Sequence, residues 1–595
     1  MTAFAARPSR PPERARPTER VRLAGQRQQT LALSHFRLML VMLLLLGLAA
    51  VIAIRLVWLT VAGGDQAGFR AAEGVPARAD IVDRNGVPLA TTINAWSVAL
   101  MPAKRVNDAR EVAQKLAQVL PEHSAADYYA MLRSKKTFIY LRRRATPDLV
   151  ARVNAIGEPA IQLAQEPERL YPQTDLAAHV LGWTDSEGRG AFGMEKLLDR
   201  RLVDPGLRGT PVPLAIDGRV QAALESELGA ARDKFTAAAA GGIVMDVRTG
   251  EVLAMTSLPT FNPNDPGATP IENLKNNTIQ SVYELGSTFK AITIANAIQS
   301  GVVTSMAQKY DATAPLVIGR YRIHDDEPAG RWLNIPEMMV RSSNIVTARI
   351  ADELGQQREM AMFRKLGFAN PPEVELSARA RPLWPTYWGR TTVMTVGFGH
   401  GLAVTPLNLA IAYAALVNGG IYRPATLLKR GPGNPVPAGR RVISEATSAR
   451  VRQLLRLVVN PVADGTGKKA DVPGFRLGGK TGTAEKAQAG GYNKKLNVST
   501  FAGVFPMDDP RYLVMMTLDG PHATADTYGW TTAAWVVGPA IGRLVSRIGP
   551  LLGVIPDEHH DVDESDLLPL IWKPAPKVKK ASVAAGAAAA KHDRD

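Results

Sequence analysis

The chain has 595 residues, of which 46% are hydrophobic and 21% are charged. This length exceeds one small domain, and this composition excludes a largely disordered protein. The formal net charge is +16, but residues 1–37 and 573–595 hold +10 of it, so the remaining chain lacks the broadly basic surface typical of a nucleic-acid enzyme. The absence of cysteine excludes disulfides, thiolate metal sites and cysteine nucleophiles.

The first strong pattern along the chain is an apolar segment at 38–62. It follows residues 1–37, which are rich in Arg, Pro and Gln and are predicted to be a mobile arm. Leu38 to Ile54 are 17 apolar residues in a row, and after Arg55 the segment is again apolar. As a helix, the uninterrupted part spans about 26 Å and the whole about 37 Å, which brackets a hydrocarbon core of about 30 Å. We predict a transmembrane anchor at 38–62.

A buried core helix and a cleaved signal peptide are the two alternatives for this segment. A core helix carries a polar face, which is missing here. A signal peptide has a short charged start and an apolar core of about 7 to 15 residues, whereas 37 residues precede this longer run. The arginine excess before the segment predicts a cytoplasmic amino end and places the chain from about residue 63 on the other side of the membrane.

Residues 63–210 are predicted to form a mixed α/β pedestal domain. Asp80 to Ala90 predicts two short strands around an Asn-Gly turn, which is a strong hairpin signal. Helical spacing follows at 111–120 and 146–156. Proline and glycine residues between 204 and 213 indicate the end of this domain.

Residues 211–556 are predicted to form a larger α+β domain whose antiparallel sheet is flanked by helices. Apolar alternation at 242–247 and 251–257 predicts a hairpin, and three strand-like runs follow much later in the chain. These runs are at 475–483, 500–505 and 512–518. The intervening segments have helical spacing, including 287–300 and 407–417.

Residues 557–595 are predicted to be an acidic linker and a loose Lys/Ala-rich tail. The run 557–566 holds two histidines among six carboxylates, so a metal site is conceivable there. Such runs are more often solvated linkers, and we predict no metal site.

Ser287 and Lys290 form the only Ser-x-x-Lys sequence in the chain. In a helix that begins at Ser287, residues i and i+3 share one face, so the lysine amine would lie beside the serine hydroxyl. A serine is a poor nucleophile unless a base removes its proton. Lysine can act as that base when burial or a nearby cation lowers its pKa.

Two further short sequences suit the same chemistry. Lys480-Thr481-Gly482-Thr483 lies in a strand-like run and supplies a second cation, and Gly482 would let a substrate backbone approach closely. The alternative is an ordinary hairpin turn. Ser342-Ser343-Asn344 lies between these two sequences, although a Ser-x-Asn alone is more often a helix cap.

In this order and spacing, Ser287, Ser342 and Lys480 resemble the three motifs of penicillin-binding proteins and serine β-lactamases. Further stretches resemble class B penicillin-binding proteins, and the residues after Lys480 are most similar to its FtsI branch, the division-specific D,D-transpeptidases. These stretches are 82–86, 169–172, 177–182, 193–195, 397–406 and 501–506. Ala79 and Leu285 depart from the family pattern, which usually has Gly and Pro there.

The resemblance implies a peptidoglycan D,D-transpeptidase that acts through a serine acyl-enzyme and is a target of β-lactams. Ser287 would attack a stem pentapeptide, with Lys290 as the base. Ser342, Asn344 and Lys480 would complete the catalytic set, and Thr481, Gly482 and Thr483 would bind the substrate. The backbone N–H groups of Ser287 and Thr483 would form the oxyanion hole. The resemblance implies no metal and no cofactor.

The FtsI branch implies septal wall synthesis by a single-pass protein of the cytoplasmic (inner) membrane with a periplasmic catalytic domain. FtsW and other division proteins would be its partners, and no nucleic acid is expected. One alternative is the elongation-specific transpeptidase, which shares the reaction domain. The other is a division scaffold without catalysis, and the intact set of candidate catalytic residues argues against it.

Overall fold

The computed structural model describes residues 39–55, 77–488 and 491–572, and these contain two compact units. The smaller unit is built on Ala95–Glu166, and the larger on Pro76–Asn94 with the chain from Pro167 onward. Residues 39–55 form helix α1, whose side chains are exposed. No helix in the described ranges is both long and apolar enough to cross a membrane. The predicted arm, the outer part of the predicted anchor at 56–62 and the predicted tail from 573 lie outside the described residues.

The strands, in chain order, are β1 (Ile81–Val82), β2 (Pro88–Leu100), β3 (Ile139–Ala145), β4 (Ile161–Leu170), β5 (Val212–Pro213), β6 (Ala239–Asp246), β7 (Val252–Leu258), β8 (Lys309–Ala312), β9 (Leu316–Ile318), β10 (Tyr321–Ile323), β11 (Arg331–Asn334), β12 (Ile421–Tyr422), β13 (Arg440–Arg441), β14 (Gly478–Gln488), β15 (Gly491–Phe505) and β16 (Tyr512–Asp519). The helices after α1 are α2 (Ala109–Val119), α3 (Ala125–Leu132), α4 (Pro147–Asn154), α5 (Ala178–Leu181), α6 (Gly193–Leu197), α7 (Asp199–Val203), α8 (Gly218–Lys234), α9 (Lys290–Gln299), α10 (Ile335–Arg341), α11 (Asn344–Lys365), α12 (Arg390–Gly397), α13 (Pro406–Val417), α14 (Glu445–Val459), α15 (Ala533–Val536) and α16 (Gly538–Leu551).

The smaller unit contains α2, α3, α4 and β3 together with parts of β2 and β4. Each helix begins after a residue whose side chain accepts a backbone N–H bond from the first turn, namely Asp108, Ser124 and Thr146. The apolar faces of these helices are buried at residues such as Leu116 and Tyr128. The helices predicted at 111–120 and 146–156 are confirmed, and their ends differ from the prediction by at most two residues.

The hairpin predicted at Asp80 to Ala90 is also confirmed. β1 pairs antiparallel with the start of β2, and Asp83 Oδ1 accepts the backbone N–H groups of Asn85 and Val87 at 2.8 and 2.9 Å. Gly86 takes a φ of +87°, a conformation that a residue without a Cβ adopts at little cost.

Two of the stretches that carry the family resemblance, 169–172 and 193–195, meet Arg78 at one buried carboxylate, that of Glu195. Arg78 Nε donates to one of its oxygens at 3.0 Å and Arg169 Nε to the other at 2.7 Å, and all three side chains are buried. Arg169 also donates to the carbonyl oxygen of Ala79 at 2.9 Å. A buried carboxylate is costly unless it is paired and hydrogen-bonded, so the two guanidinium groups make this position tenable and link the three segments.

The central sheet of the larger unit has five strands in the order β14-β15-β16-β6-β7, and every neighbouring pair is antiparallel. This confirms the predicted antiparallel sheet with strands from both ends of the domain. β14 lies at one edge of the sheet.

Side chains of this sheet alternate between two apolar clusters. Ile243 and Met245 of β6 belong to the cluster that includes α9, α10, α13 and α14. Val244, between them, belongs to the cluster that includes α8 and α16. Successive side chains of a strand point to opposite faces, so both faces of the sheet are covered and helices flank it on each side.

Residues 557–572, which we call the C-terminal strap, contain the predicted acidic linker, whose carboxylates are mostly exposed, and a segment that is anchored to the larger unit. Leu567 of the strap is fully buried in the main core. Asp561 and Asp566 accept hydrogen bonds from Arg456 and Arg450 of α14 at 2.8 and 2.6 Å. Two of the six carboxylates in the acidic run are therefore paired with arginines of a helix, and this arrangement was not apparent from the run itself.

The far end of the strap contacts the start of α10. Asn334, the N-cap of α10, donates from its side chain to the Leu570 carbonyl oxygen at 2.7 Å. The backbone N–H of Trp572 donates to Glu337 of the same helix at 3.0 Å. The strap thus joins α14 to α10, the helix that ends beside Ser342.

Candidate active site

Ser287 lies in a single 3-10 turn, Gly286–Phe289, and α9 begins after it at Lys290. The predicted helix start at Ser287 is therefore three residues early. Gly286 takes a φ of +53°, and a Cβ there would lie 2.6 Å from the Thr483 carbonyl oxygen, so the turn packs tightly against β14. Ser287 is half-buried, and its hydroxyl makes no hydrogen bond to any residue that the structure describes.

Lys290 is fully buried, and its amine is held by the Ser342-Ser343-Asn344 segment. Its Nζ donates to Asn344 Oδ1 at 2.7 Å, to Ser342 Oγ at 3.1 Å and to the Ser342 carbonyl oxygen. The sequence suggested Ser287 as the partner of this amine. Instead, all the hydrogen bonds that the amine makes in the described chain go to residues more than 50 positions away.

Ser342 ends α10 in a left-handed conformation, with φ of +61° and ψ of +44°. This conformation is uncommon for a residue with a Cβ, and strained residues of this kind often occur at functional sites. In this conformation both the carbonyl oxygen and the hydroxyl oxygen of Ser342 accept hydrogen bonds from the Lys290 amine.

Asp325 fixes the start of α11 next to Ser342. Its carboxylate accepts the Ser343 hydroxyl at 2.8 Å and the Ile345 backbone N–H at 3.0 Å, and the side chain is buried. Ser343 in turn caps α11 by accepting the Val346 N–H. Ser343 therefore has a positioning role, whereas Asn344 presents its side chain to Lys290.

Lys480, on the edge strand β14, is the second fully buried amine. Its Nζ donates to Ser342 Oγ at 2.9 Å and to the Thr481 carbonyl oxygen at 3.0 Å. The Ser342 hydroxyl consequently lies within hydrogen-bonding distance of both Lys290 and Lys480. An oxygen that contacts two amines can pass a proton between them through its own hydroxyl.

Burial lowers the pKa of both amines. It brings the pKa of Lys290 to about 7, although the carboxylates of Asp325 and Asp326 favour the charged form. It also holds the pKa of Lys480 well below its ordinary value, and repulsion from Lys290 acts in the same direction. The two amines therefore lose a proton far more readily than an exposed lysine does.

The remaining predicted site residues line β14 beyond Lys480. Thr483 Oγ1 accepts the Ala533 backbone N–H at 3.1 Å, so its own proton is directed elsewhere and can be donated. Thr481 Oγ1 lies 3.3 Å from Lys480 Nζ and 3.2 Å from Thr466 Oγ1. Thr483 can therefore offer its hydroxyl to an anionic group, whereas the Thr481 hydroxyl already donates to Thr466 Oγ1.

Gly482 lies tightly against the Ser287 turn, and its predicted role in admitting a substrate backbone stays a prediction. A Cβ at this position would lie 2.3 Å from the Leu285 carbonyl oxygen and 2.7 Å from Thr288 Cγ2. The close neighbour is thus the Ser287 turn of the same chain, and the missing side chain lets β14 lie directly against that turn.

Sequence analysis missed three residues that shape this site. Asp325 anchors Ser343, Tyr413 donates its hydroxyl to the Thr288 carbonyl oxygen at 2.6 Å, and Thr466 contacts Thr481. None of them lies in a motif, and an Asp or Tyr in an unremarkable segment gives no sequence signal of such a contact.

Two family models match this chain. The penicillin-binding protein transpeptidase domain matches residues 240–541, about half of the chain, and the penicillin-binding protein dimerisation domain matches residues 73–200. The chain is a class B penicillin-binding protein. The predicted family is therefore confirmed, while the predicted boundaries at 210 and 556 stay predictions.

This penicillin-binding protein is similar to proteins of several bacteria. It is 42% identical over 492 residues to the probable peptidoglycan D,D-transpeptidase FtsI of Caulobacter vibrioides, covering 81% of this chain and 83% of that one. It is 31% identical over 544 residues to the peptidoglycan D,D-transpeptidase FtsI of Escherichia coli, covering 84% and 90%. The crystal structure of penicillin-binding protein 3 from Mycobacterium tuberculosis with aztreonam superposes with a TM-score of 0.64 at 27% identity, covering 81% and 98%.

The pH dependence of acylation should report the buried amines of this penicillin-binding protein. If neutral Lys290 accepts the serine proton, the second-order rate constant for acylation by a β-lactam should rise with pH and level off above about 7, because the pKa of Lys290 is about 7. Asp326→Asn removes a carboxylate that favours the charged amine, so it should move the inflection to lower pH. A flat profile between pH 6 and 8.5 would contradict this assignment.

Gly482→Ala tests the contact between β14 and the Ser287 turn. The added Cβ has no room beside the Leu285 carbonyl oxygen, so the strand must move away from the turn. We expect acylation to slow by about a hundredfold, the cost of a displacement of about 1 Å in a catalytic site. Gly229→Ala in α8 is the matched control, because a Cβ there has no heavy atom within 4 Å. Equal acylation rates for the two variants would show that the contact is not needed.

Proposed function

We propose that this protein crosslinks peptidoglycan as a serine D,D-transpeptidase of the FtsI type. The observation that supports it most directly is the Ser342 hydroxyl, which lies between two buried amines of lowered pKa. One of those amines belongs to Lys290, three residues after a serine whose hydroxyl has no hydrogen bond in the described chain. Buried amines cost stability, so a pair of them around one hydroxyl favours proton-transfer chemistry.

In the proposed reaction, Ser287 Oγ attacks the carbonyl of the penultimate D-Ala of a stem pentapeptide, and its proton passes to the Lys290 amine. The tetrahedral intermediate collapses by breaking the peptide bond, and the terminal D-Ala leaves after its nitrogen receives a proton through Lys290 or the Ser342 hydroxyl. The acceptor amine of a neighbouring stem then attacks the ester. It loses a proton to the same amines, and Ser287 Oγ recovers its own.

The other site residues bind and stabilise in this proposal. The backbone N–H groups of Ser287 and Thr483 form the oxyanion hole. Each donor stabilises the transition state by about 3 to 4 kcal/mol. Thr483 donates its hydroxyl to the terminal carboxylate, and Thr481 does so when its bond to Thr466 Oγ1 is exchanged for the substrate. Asn344 both holds Lys290 and binds the substrate amide. A β-lactam acylates the same serine, in keeping with the aztreonam complex of the similar Mycobacterium tuberculosis protein.

Labelling with a fluorescent penicillin tests the chemistry. Ser287→Ala should abolish covalent labelling because the attacking oxygen is lost. Lys290→Arg should slow it by about 10² to 10⁴-fold, since a guanidinium does not deprotonate at neutral pH and cannot act as the base. Lys309→Arg, at an exposed lysine, is the matched control and should label normally. Rapid labelling of Lys290→Arg at pH 7 would assign the base to another group, and undiminished labelling of Ser287→Ala would refute the proposal.

A membrane anchor at 38–62 is the second part of the proposal. It is supported by the unbroken apolar run from Leu38 to Ile54 and by the exposed apolar side chains of α1. The arginine-rich residues 1–37 favour a cytoplasmic amino end and a periplasmic catalytic domain at the inner membrane.

Protease added to intact spheroplasts tests this orientation. It should digest the chain after residue 63 and leave residues 1–37 protected, as seen with antibodies to tags at the two ends. A protected catalytic domain would reverse the orientation, and a protein released without detergent would exclude the anchor.

A septal role is the third part of the proposal. It is supported by the similarity to two FtsI proteins and implies FtsW and other division proteins as partners. The elongation-specific transpeptidase remains the competing candidate because the two enzymes share the reaction domain. A scaffold without catalysis is disfavoured, since Lys290, Ser342, Asn344 and Lys480 form one hydrogen-bonded group.

Cell shape and location distinguish these candidates. A fluorescent fusion should concentrate at midcell, and a penicillin that selectively blocks Ser287 should give long cells without septa, because side-wall growth continues. Swelling of the cells, with the fusion dispersed along the side wall, would instead assign the protein to elongation.

A further inference from the structure

A basic pocket lies in the smaller unit. All the residues that line it are within 102–137, so the pocket shares no residue with the candidate active site. Its volume is about 310 Å³, and it is formed where the turn Pro102–Lys104 approaches the end of α3. Four cationic side chains line it, and no acidic side chain does. The four are Arg105, Arg133, Lys135 and Lys136.

These four cations make no ion pair with any residue in the described ranges. Other exposed cations of the same unit are paired, for example Lys115 with Glu111 at 2.7 Å and Arg152 with Asp148 at 3.1 Å. Arg133 is held in place by Tyr129, which accepts its Nη1 at 3.1 Å, but a neutral phenol does not cancel its charge. The pocket therefore concentrates uncompensated positive charge in a concave site.

A hydroxyl without a partner lies at the same place. Ser134 lines the pocket, and its Oγ is buried without a hydrogen bond to the rest of the described chain. A shielded hydroxyl that makes no bond costs stability, which marks this part of the wall as incompletely satisfied. Thr137 offers a second hydroxyl at the rim.

The end of a helix explains only part of this arrangement. α3 ends at Leu132, and the negative end of its dipole favours cations in the residues that follow. This accounts for Arg133, Lys135 and Lys136. It does not account for Arg105, which precedes α2 and reaches the pocket from another segment of the chain.

We infer that the basic pocket binds a phosphate group. Arginine forks, lysine ammonium groups and serine or threonine hydroxyls are the donor set that phosphate oxygens accept from most strongly. A phosphate ester carries up to about two negative charges on one small centre, which suits four cations around a pocket of this volume better than a single carboxylate does. Two sources share this chemistry, the headgroup of an anionic lipid and a soluble phosphorylated compound. The inference is independent of the proposed transpeptidase activity.

Titration calorimetry on the full chain in neutral detergent tests the inference, with pyrophosphate as the probe. Lys135→Gln with Lys136→Gln should weaken saturable pyrophosphate binding by about tenfold or more, because two charge-assisted contacts are lost. Lys115→Gln with Arg152→Gln changes the net charge equally at paired positions of the same unit and should leave the affinity within about twofold. Unchanged thermal unfolding midpoints in both variants would establish that the fold is intact.

A second set of titrations identifies the source of the phosphate. Competition with pyrophosphate by dihexanoyl phosphatidylglycerol, but not by dihexanoyl phosphatidylcholine, would support a lipid headgroup. Binding of pyrophosphate without such competition would support a soluble phosphorylated ligand. No saturable binding of pyrophosphate, an equal loss in the control variant, or preference for an acidic peptide over pyrophosphate would overturn the inference, the last by assigning the pocket to a protein partner.

Discussion

Two lysine amines are buried around one serine hydroxyl, and much of the larger unit serves to hold them there. Moving the pKa of Lys290 from 10.5 to about 7 corresponds to about 5 kcal/mol against its charged form. The fold must supply that free energy from packing elsewhere. Three packed elements meet at the amines and hold them in place: the start of α9, the end of α10 and the edge strand β14. Each is fixed by contacts outside the motifs, such as Asp325 at Ser343 and Tyr413 at Thr288.

The sequence predicts the chemistry of the site better than its internal contacts. Ser287, Lys290, Ser342 and Lys480 are recognisable because together, in this order, they resemble the three motifs of penicillin-binding proteins. The hydrogen bonds of Lys290 to Ser342 and Asn344 are not predictable in the same way, because they join residues that meet only in the folded chain. The role of Gly482 is hidden for the same reason, since nothing in its own segment indicates that Leu285 lies against it.

In the fold, too, the elements are predictable from their own residues, whereas contacts between segments far apart in the sequence are not. Apolar periodicity and turn residues predict α2, α4, the first hairpin and the central sheet, because these signals lie within each element. They do not predict that Arg78, Arg169 and Glu195 converge on one buried ion cluster. They also do not predict that Asp561 and Asp566 of the C-terminal strap pair with Arg456 and Arg450 of α14.

The strand order of the central sheet has a consequence for how the protein is made. β6 and β7 end at residue 258, whereas β16, which pairs with the free edge of β6, begins at residue 512. At a ribosomal rate of about 5 to 20 residues per second, this gap corresponds to roughly 10 to 50 s during which the nascent hairpin has an unpaired edge. Exposed strand edges pair with other chains and aggregate. The edge of the early hairpin therefore stays unpaired within this sheet until β16, in the last sixth of the polypeptide, has emerged.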